Sequence, residues 1–153
     1  MANQTLITGE LIYEAKIQFI EEIDFGLSMA DLTSGKLAIP PGGARFDQSF
    51  QGILLGPKVR GIVIGTDYLN VRADGLFQLH LHGRITTEEG DNISLVSEGV
   101  SGQDVGEAEA QLRSAVKLYT LSKSYQWLNH LQLWAIGSLD PAKGEALIKA
   151  YSV

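Results

Sequence analysis

Hydrophobic and polar residues alternate along most of this chain in short segments separated by glycine, proline, aspartate or asparagine. A period of two is typical of β-strands with one buried face, and few windows show the period of a long amphipathic helix. The predicted strands lie in "TLITGELIYEAKIQFI", "KLAIPPGG", "FQGILLG", "KVRGIVIGT", "DYLNVRA", "LFQLHLHGRITT", "NISLVSEGV", "HLQLWAIGSL" and "EALIKAYSV". The segment "GEAEAQLRSAVKLY" is ambiguous, because it also fits two or three helical turns. About eight to ten strands in such a chain predict an all-β fold, either a closed barrel or a sandwich.

The segment "YLNVRADGLFQLHLHGR", residues 68–84, predicts two strands joined by a turn. A two-residue turn would pair Arg72 with Phe77, whereas a three-residue loop with a left-handed Gly75 pairs Val71 with Phe77. The second register separates polar from apolar side chains almost completely, and a buried face selects such a register strongly. One face of the hairpin then carries Tyr68, Asn70, Arg72, Gln78, His80, His82 and Arg84.

The direction of this polar face decides what it can do. If it points outward, the leucines, valine and phenylalanine between its members fill the core, as is usual for polar strand faces. If it points inward, it lines a water-filled pocket, since barrels of about eight strands can hold one small ligand. Two arginines, two histidines and a tyrosine would suit a carboxylate or an enol. The sequence leaves both directions open.

Composition limits the partners. The 153 residues include 12 Lys and Arg against 18 Asp and Glu, which gives a formal net charge of −6. Nucleic-acid binding and docking on an anionic membrane both need a basic face, so neither is expected. The chain has no cysteine, no apolar run near the roughly 20 residues of a membrane span and no signal-peptide pattern in "MANQTLITGE". We expect a soluble cytoplasmic protein that forms one domain over residues 1–153, with a homo-oligomer as a reasonable expectation.

Several weak motifs occur here in a specific order: "G-P-x-x-R-G-x-V" from Gly56, "G-x-D-aromatic" from Gly65, "R-x-D-G" from Arg72, "T-x-x-G-x-x-I" from Thr87 and "Y-x-W-L-N" from Tyr125. In this order and spacing the chain resembles the family listed as domain of unknown function 3237, from about residue 30 to the end. The resemblance implies a closed antiparallel barrel of the calycin-like or allene-oxide-cyclase-like kind, with at most one short helix. It implies no established activity, and the histidine-rich "HLHGR" departs from what the resemblance leads us to expect.

Several kinds of chemistry find little support. No "G-x-S-x-G" elbow or P-loop is present, and no cofactor fingerprint occurs, so no cofactor is expected. His80 and His82 share a strand face, but a metal site would need a third ligand such as Glu98 or His130. Arg84 and Arg72 on the same face would repel a cation, so no metal is expected either.

General acid–base chemistry is the leading hypothesis, because it needs only proton-transfer groups and a donor for developing negative charge. The predicted catalytic residues are Asp67, Tyr68, His80, His82 and Glu98, and the predicted substrate-binding residues are Arg60, Asn70, Arg72, Gln78, Arg84, Trp127 and Asn129. They would serve a cofactor-free cyclase, isomerase, hydratase or dehydratase that acts on a small oxygenated or polyketide-like compound. Resemblance to a cyclase-type barrel supports this by analogy only.

Each of these residues also has a structural interpretation. Asp67 would cap a turn, and Arg60 would form an ion pair in the middle of a strand. Trp127 would plug one barrel end together with Tyr125 and Leu128, and Asn129 would satisfy backbone groups there. Two other functions stay open: a noncatalytic carrier or sensor of the lipocalin kind, and a structural subunit whose polar hairpin is only surface.

Overall fold

A computed structural model describes residues 9–102 and 109–153. Its strands are β1 (Leu11–Asp24), β2 (Ala44–Pro57), β3 (Arg60–Val71), β4 (Phe77–Thr87), β5 (Asn92–Gly102), β6 (Ala110–Tyr119), β7 (Leu133–Asp140) and β8 (Glu145–Ser152). Each strand pairs antiparallel with the next, and β8 pairs with β1, so the sheet closes into a barrel. The predicted all-β closed antiparallel barrel is confirmed, with eight strands.

Two short helices interrupt the meander. Helix α1 (Met29–Thr33) follows β1, and a 3-10 helix (Gln126–His130) joins β6 to β7. Ser28 caps α1 by accepting a hydrogen bond from the backbone N–H of Asp31 at 3.1 Å. No helix in residues 9–102 or 109–153 is long and apolar enough to cross a membrane.

The element boundaries differ from the prediction in three places. "KVRGIVIGT" and "DYLNVRA" form one strand, β3, because Gly65 continues the ladder opposite Phe50 and Gly83 instead of ending it. "KLAIPPGG" contains no strand, since residues 36–43 form bends, a turn and irregular backbone. The ambiguous segment is a strand from Ala110 onward, and its residues 103–108 lie outside the described part of the chain.

Apolar side chains fill the lumen in two layers. The larger cluster includes Phe50, Val63, Ile85 and Val116, and the smaller one centres on Phe46, Leu69 and Val71. Leu128 of the 3-10 helix joins the larger cluster, while Met29 and Leu32 of α1 pack against the smaller one. The two helices thus bring apolar side chains to opposite ends of the barrel.

Asp67 is an acid inside this apolar interior. It is 2% exposed, and its Oδ1 accepts the backbone N–H of His80 at 3.0 Å, where β3 and β4 lack a regular backbone pair. It caps no turn, so the structural interpretation of Asp67 from sequence is wrong. Burial raises the pKa of Asp67 to about 6, and the hydrogen bond from His80 opposes that rise only in part.

Gly65 tests how tightly the barrel wall is built. A Cβ atom added at Gly65 would lie 2.3 Å from the carbonyl oxygen of His82 and 2.7 Å from Cα of Gly83. We expect Gly65→Ala to lower the free energy of unfolding by about 2 kcal/mol or more, since the backbone must move. Urea unfolding measures this. Gly42→Ala is the control, because nothing lies within 4 Å of its added Cβ; equal losses in both variants would contradict the close approach.

Asp67 gives a pH-dependent prediction. Its pKa is raised in the fold, so its contribution to stability is fully present below the unfolded pKa near 3.8 and is lost as pH rises through about 6. Asp67→Asn keeps an acceptor for the His80 N–H without the buried charge. We expect the free energy of unfolding of this variant to exceed that of the wild type by up to about 3 kcal/mol at pH 8, and by little at pH 4.

Urea unfolding at both pH values measures this difference. The exposed turn residue Asp74 supplies the control, because Asp74→Asn should change stability by about 0.5 kcal/mol or less at either pH. A stability gain from Asp67→Asn that is the same at pH 4 and pH 8 would refute the buried-charge explanation.

Candidate functional site

The polar hairpin has the predicted register. Val71 pairs with Phe77, Asn70 pairs with Gln78, and Gly75 is left-handed with φ 89°. Leu69 and Leu79 are buried, whereas the alternate side chains of the hairpin are exposed or half-buried. The polar face therefore points outward. The interpretation that it lines an internal pocket is wrong, because closing the sheet puts the apolar side chains of the hairpin in the lumen.

The lumen itself has little free space. Its cavity has a volume of about 40 Å³ and a mainly apolar lining that includes Tyr13, Phe50, Leu81 and Ile148. This is room for a few water molecules at most, not for an organic ligand. Burial raises the pKa of the Tyr13 phenol above its ordinary value, so Tyr13 stays neutral there.

Four polar residues form a row across the outside of β2 to β5. Asp47 pairs with Tyr68, His80 pairs with Glu98, and the constant β3–β4 register sets Tyr68 opposite His80. Sequence reasoning missed Asp47, whose Oδ1 is buried without a hydrogen-bond partner among the described residues. The β2–β3 register would have revealed it, but a sequence does not give the register of two strands whose turn geometry is unknown.

Two histidines and a carboxylate form a chain of contacts in this row. Oε1 of Glu98 lies 3.0 Å from Nδ1 of His80, and Nε2 of His80 lies 3.0 Å from Nε2 of His82. The rings of the two histidines meet edge to face at a centroid distance of 4.8 Å, and Tyr68 meets the ring of His82 edge to face at 6.0 Å. The predicted residues Tyr68, His80, His82 and Glu98 are thus brought together, on the outer surface.

The order of these contacts assigns the protons. A carboxylate only accepts, so neutral His80 carries its proton on Nδ1 and offers a lone pair at Nε2. His82 must then donate its Nε2–H to His80, which leaves the lone pair of His82 on Nδ1.

His82 also borders a groove of about 550 Å³ on the barrel exterior. Its lining includes the apolar Ile20 and Ile64 and the polar Ser49, Thr66, His82 and Arg84. The size falls in the range of small-molecule sites, although this groove is open to solvent. The Arg84 guanidinium borders the same groove, so it could pair with an anion bound next to His82.

The other residues predicted from the hairpin lie apart from the histidines. Asn70, Arg72 and Gln78 border a different groove of about 480 Å³, beside residues 41–44. Arg72 is paired with the turn residue Asp74 at 2.6 Å. The predicted substrate-binding residues of the hairpin therefore divide between two surface grooves, and only Arg84 stays with His82.

Arg60, Trp127 and Asn129 lie away from both grooves. Arg60 begins β3 and is exposed, so its expected place in the middle of a strand is wrong. Asn129 accepts from the backbone N–H of Thr120 at 2.9 Å and donates to its carbonyl at 2.8 Å, which confirms its structural interpretation.

Trp127 differs from the structural interpretation made from sequence. It is 41% exposed, and its Nε1–H donates to the carbonyl of Ser124, whereas Leu128 is the residue that packs into the core. Of the three residues predicted to plug this barrel end, Leu128 is buried in the core and Tyr125 packs against it, whereas Trp127 does not join them.

Known proteins give the chain a family and a fold. The model of the family "Protein of unknown function (DUF3237)" matches residues 35–153, which confirms the resemblance found in the motifs. No curated protein matches the chain.

Solved structures share the barrel at low sequence identity. A protein of unknown function from Clostridium acetobutylicum is 22% identical, with a TM-score of 0.76 over 94% of this chain and 97% of that one. A conserved protein of unknown function from Rhodopseudomonas palustris is 16% identical, with a TM-score of 0.77 over 98% and 99%. An enzyme from Penicillium herquei is 19% identical, with a TM-score of 0.62 over 98% and 99%. By its family match, this chain is a member of the DUF3237 family of proteins of unknown function.

Proposed function

We propose that the protein is an acid–base enzyme that acts on a small oxygenated organic molecule held in the outer groove beside His82. The reaction is an isomerisation, a cyclisation or an addition or loss of water, each of which proceeds by proton transfer without a redox step. The observation that carries this proposal is the chain from Glu98 through His80 to His82, which ends on a groove that also presents Arg84.

The first step is removal of a proton from carbon next to a carbonyl group. His82 takes the proton on Nδ1, and the electron pair of the broken C–H bond moves onto the carbonyl oxygen to give an enolate. His82 then donates its Nε2–H more strongly to His80, whose Nδ1–H is held by Glu98. Arg84 neutralises the enolate oxygen, and return of the proton at another atom gives the isomer.

Two neighbouring residues position the base. Tyr68 meets the His82 ring edge-on, which limits its rotation. Asp67 lies on the inner face of β3 and holds the backbone N–H of His80 at 3.0 Å, so it fixes β4 at the histidines without touching the groove. We therefore assign Asp67 a positioning role, in place of the catalytic role predicted from sequence.

Two further observations support an enzyme over a carrier. A carrier that encloses its ligand needs a lumen of several hundred Å³, and this lumen offers about 40 Å³. The Penicillium herquei protein of similar fold is described as an enzyme, which supports the idea that a barrel of this shape can bear an active site.

Deuterium exchange tests the base directly. The protein is incubated in D₂O with a panel of small ketones, 3-oxo esters and enones, and proton NMR follows loss of the α-proton signal. We expect at least one compound to exchange faster with the wild-type protein than without protein. His82→Gln should lower this catalysed rate about 10²–10⁴-fold. His80→Ala should lower it as well, since His82 then loses the acceptor for its Nε2–H.

The third histidine provides a matched control. We call the contact chain of Glu98, His80 and His82 the histidine relay. His130 lies in the 3-10 helix between β6 and β7, so His130→Gln changes the same residue type without altering the relay. The expected exchange rate of His130→Gln equals that of the wild type. If His82→Gln exchanges every compound of the panel as fast as the wild type, the proposed base is wrong.

A further inference from the structure

The two facing imidazoles have the spacing of adjacent ligands on one metal ion. Nε2 of His80 and Nε2 of His82 lie 3.0 Å apart. Two nitrogens bound at about 2.0–2.1 Å from one ion would be this far apart at an angle of about 91–97°. That angle is the one between neighbouring ligands in tetragonal and octahedral coordination, which Cu²⁺ and Ni²⁺ favour.

Glu98 completes an arrangement typical of metal-binding histidines. Such histidines generally donate their second ring N–H to a carboxylate, which fixes the ring and leaves the other nitrogen free for the metal. Oε1 of Glu98 lies 3.0 Å from Nδ1 of His80, so the lone pair of His80 that could bind a metal is already on Nε2. His82 becomes a ligand when its proton moves from Nε2 to Nδ1, and no net proton is released by this change.

The charged side chains near the histidines repel a cation less than the sequence indicated. Arg72 is held by Asp74 at the hairpin turn, at 2.6 Å. Arg84 remains close along β4, while the Glu98 carboxylate contacts His80 directly. Of the two arginines that argued against a metal, Arg72 is thus paired with a carboxylate, and Glu98 adds a negative charge beside His80.

The protein would supply only two ligands. Within residues 9–102 and 109–153, no group of three or more His, Cys, Asp or Glu is placed to hold a metal ion. The third ligand that the sequence analysis required would therefore have to be water or an oxygen group of a molecule in the adjoining groove.

We propose that His80 and His82 form an open binding site for a divalent transition metal, with Glu98 orienting His80 from behind. Cu²⁺ is expected to bind most tightly, ahead of Ni²⁺ and Zn²⁺. The site shares its histidines with the proposed base but does not depend on that activity. A metal bound to both Nε2 atoms leaves the proton of His82 on Nδ1, so His82 can no longer accept a proton there.

Titration of the metal-free protein with Cu²⁺, without any organic ligand, tests the site. Calorimetry should show one site, and electron paramagnetic resonance should show an axial Cu²⁺ signal coupled to two nitrogens. We expect His80→Gln and His82→Gln each to weaken Cu²⁺ binding at least tenfold, and Glu98→Gln to weaken it about 10–100-fold with the two-nitrogen signal retained.

His130→Gln is again the matched control and should bind Cu²⁺ as the wild type does. All the changed side chains lie on the surface, and circular dichroism checks that each variant is folded. If the double variant His80→Gln/His82→Gln keeps the affinity and nitrogen coupling of the wild type, the metal is elsewhere and the proposal is overturned.

The exchange assay separates this proposal from the proposed function. Loss of exchange on adding Cu²⁺, with recovery after chelation, supports both. If Cu²⁺ binding depends on the two histidines but proton exchange does not, the metal site is supported and the proposed base is wrong. Histidine-dependent exchange that Cu²⁺ does not inhibit overturns the metal site alone.

Discussion

Pairing of β8 with β1 is the interaction on which the rest of this structure depends. It gives every strand two hydrogen-bonded neighbours, so the eight-stranded sheet has no open edge. It also creates an inside and an outside. Because side chains alternate along each strand, closure sends one set into a space that excludes water and the other set to the solvent.

The apolar set is large enough to fill that space, and this decides where chemistry can happen. Phe46, Phe50, Leu69 and Ile85 are at most 2% exposed, and the remaining cavity is only about 40 Å³. A filled lumen stabilises the barrel by burial of apolar surface and leaves no room inside for an organic ligand. The two histidines and their groove lie on the outer wall, where the paired Gly65 and Gly83 also line the groove.

Asp67 connects the interior to the outer site. A carboxyl group in an apolar core costs stability, and its raised pKa expresses that cost. Its Oδ1 replaces a backbone partner for the N–H of His80, the residue that links Glu98 to His82. The backbone beneath the relay is therefore held from inside the barrel. On the outer face of the same strand, β4, Nε2 of His80 and Nε2 of His82 lie 3.0 Å apart.

The sequence by itself determined the strand-rich fold, the family, the hairpin register and the set of residues on its polar face. These follow from local rules: a period of two, a glycine at the left-handed turn position and motif order. It did not determine which way that face points, since either direction satisfies the same alternation. Nor did it place Asp47 beside Tyr68, or separate Asn70 and Gln78 from His82. The Asp47 pairing depends on the β2–β3 register, whose turn the sequence does not define, and the separation depends on how the surface grooves form around the closed barrel. Only the tertiary structure fixes these outcomes, and it turns inward the face whose removal from water yields the most free energy.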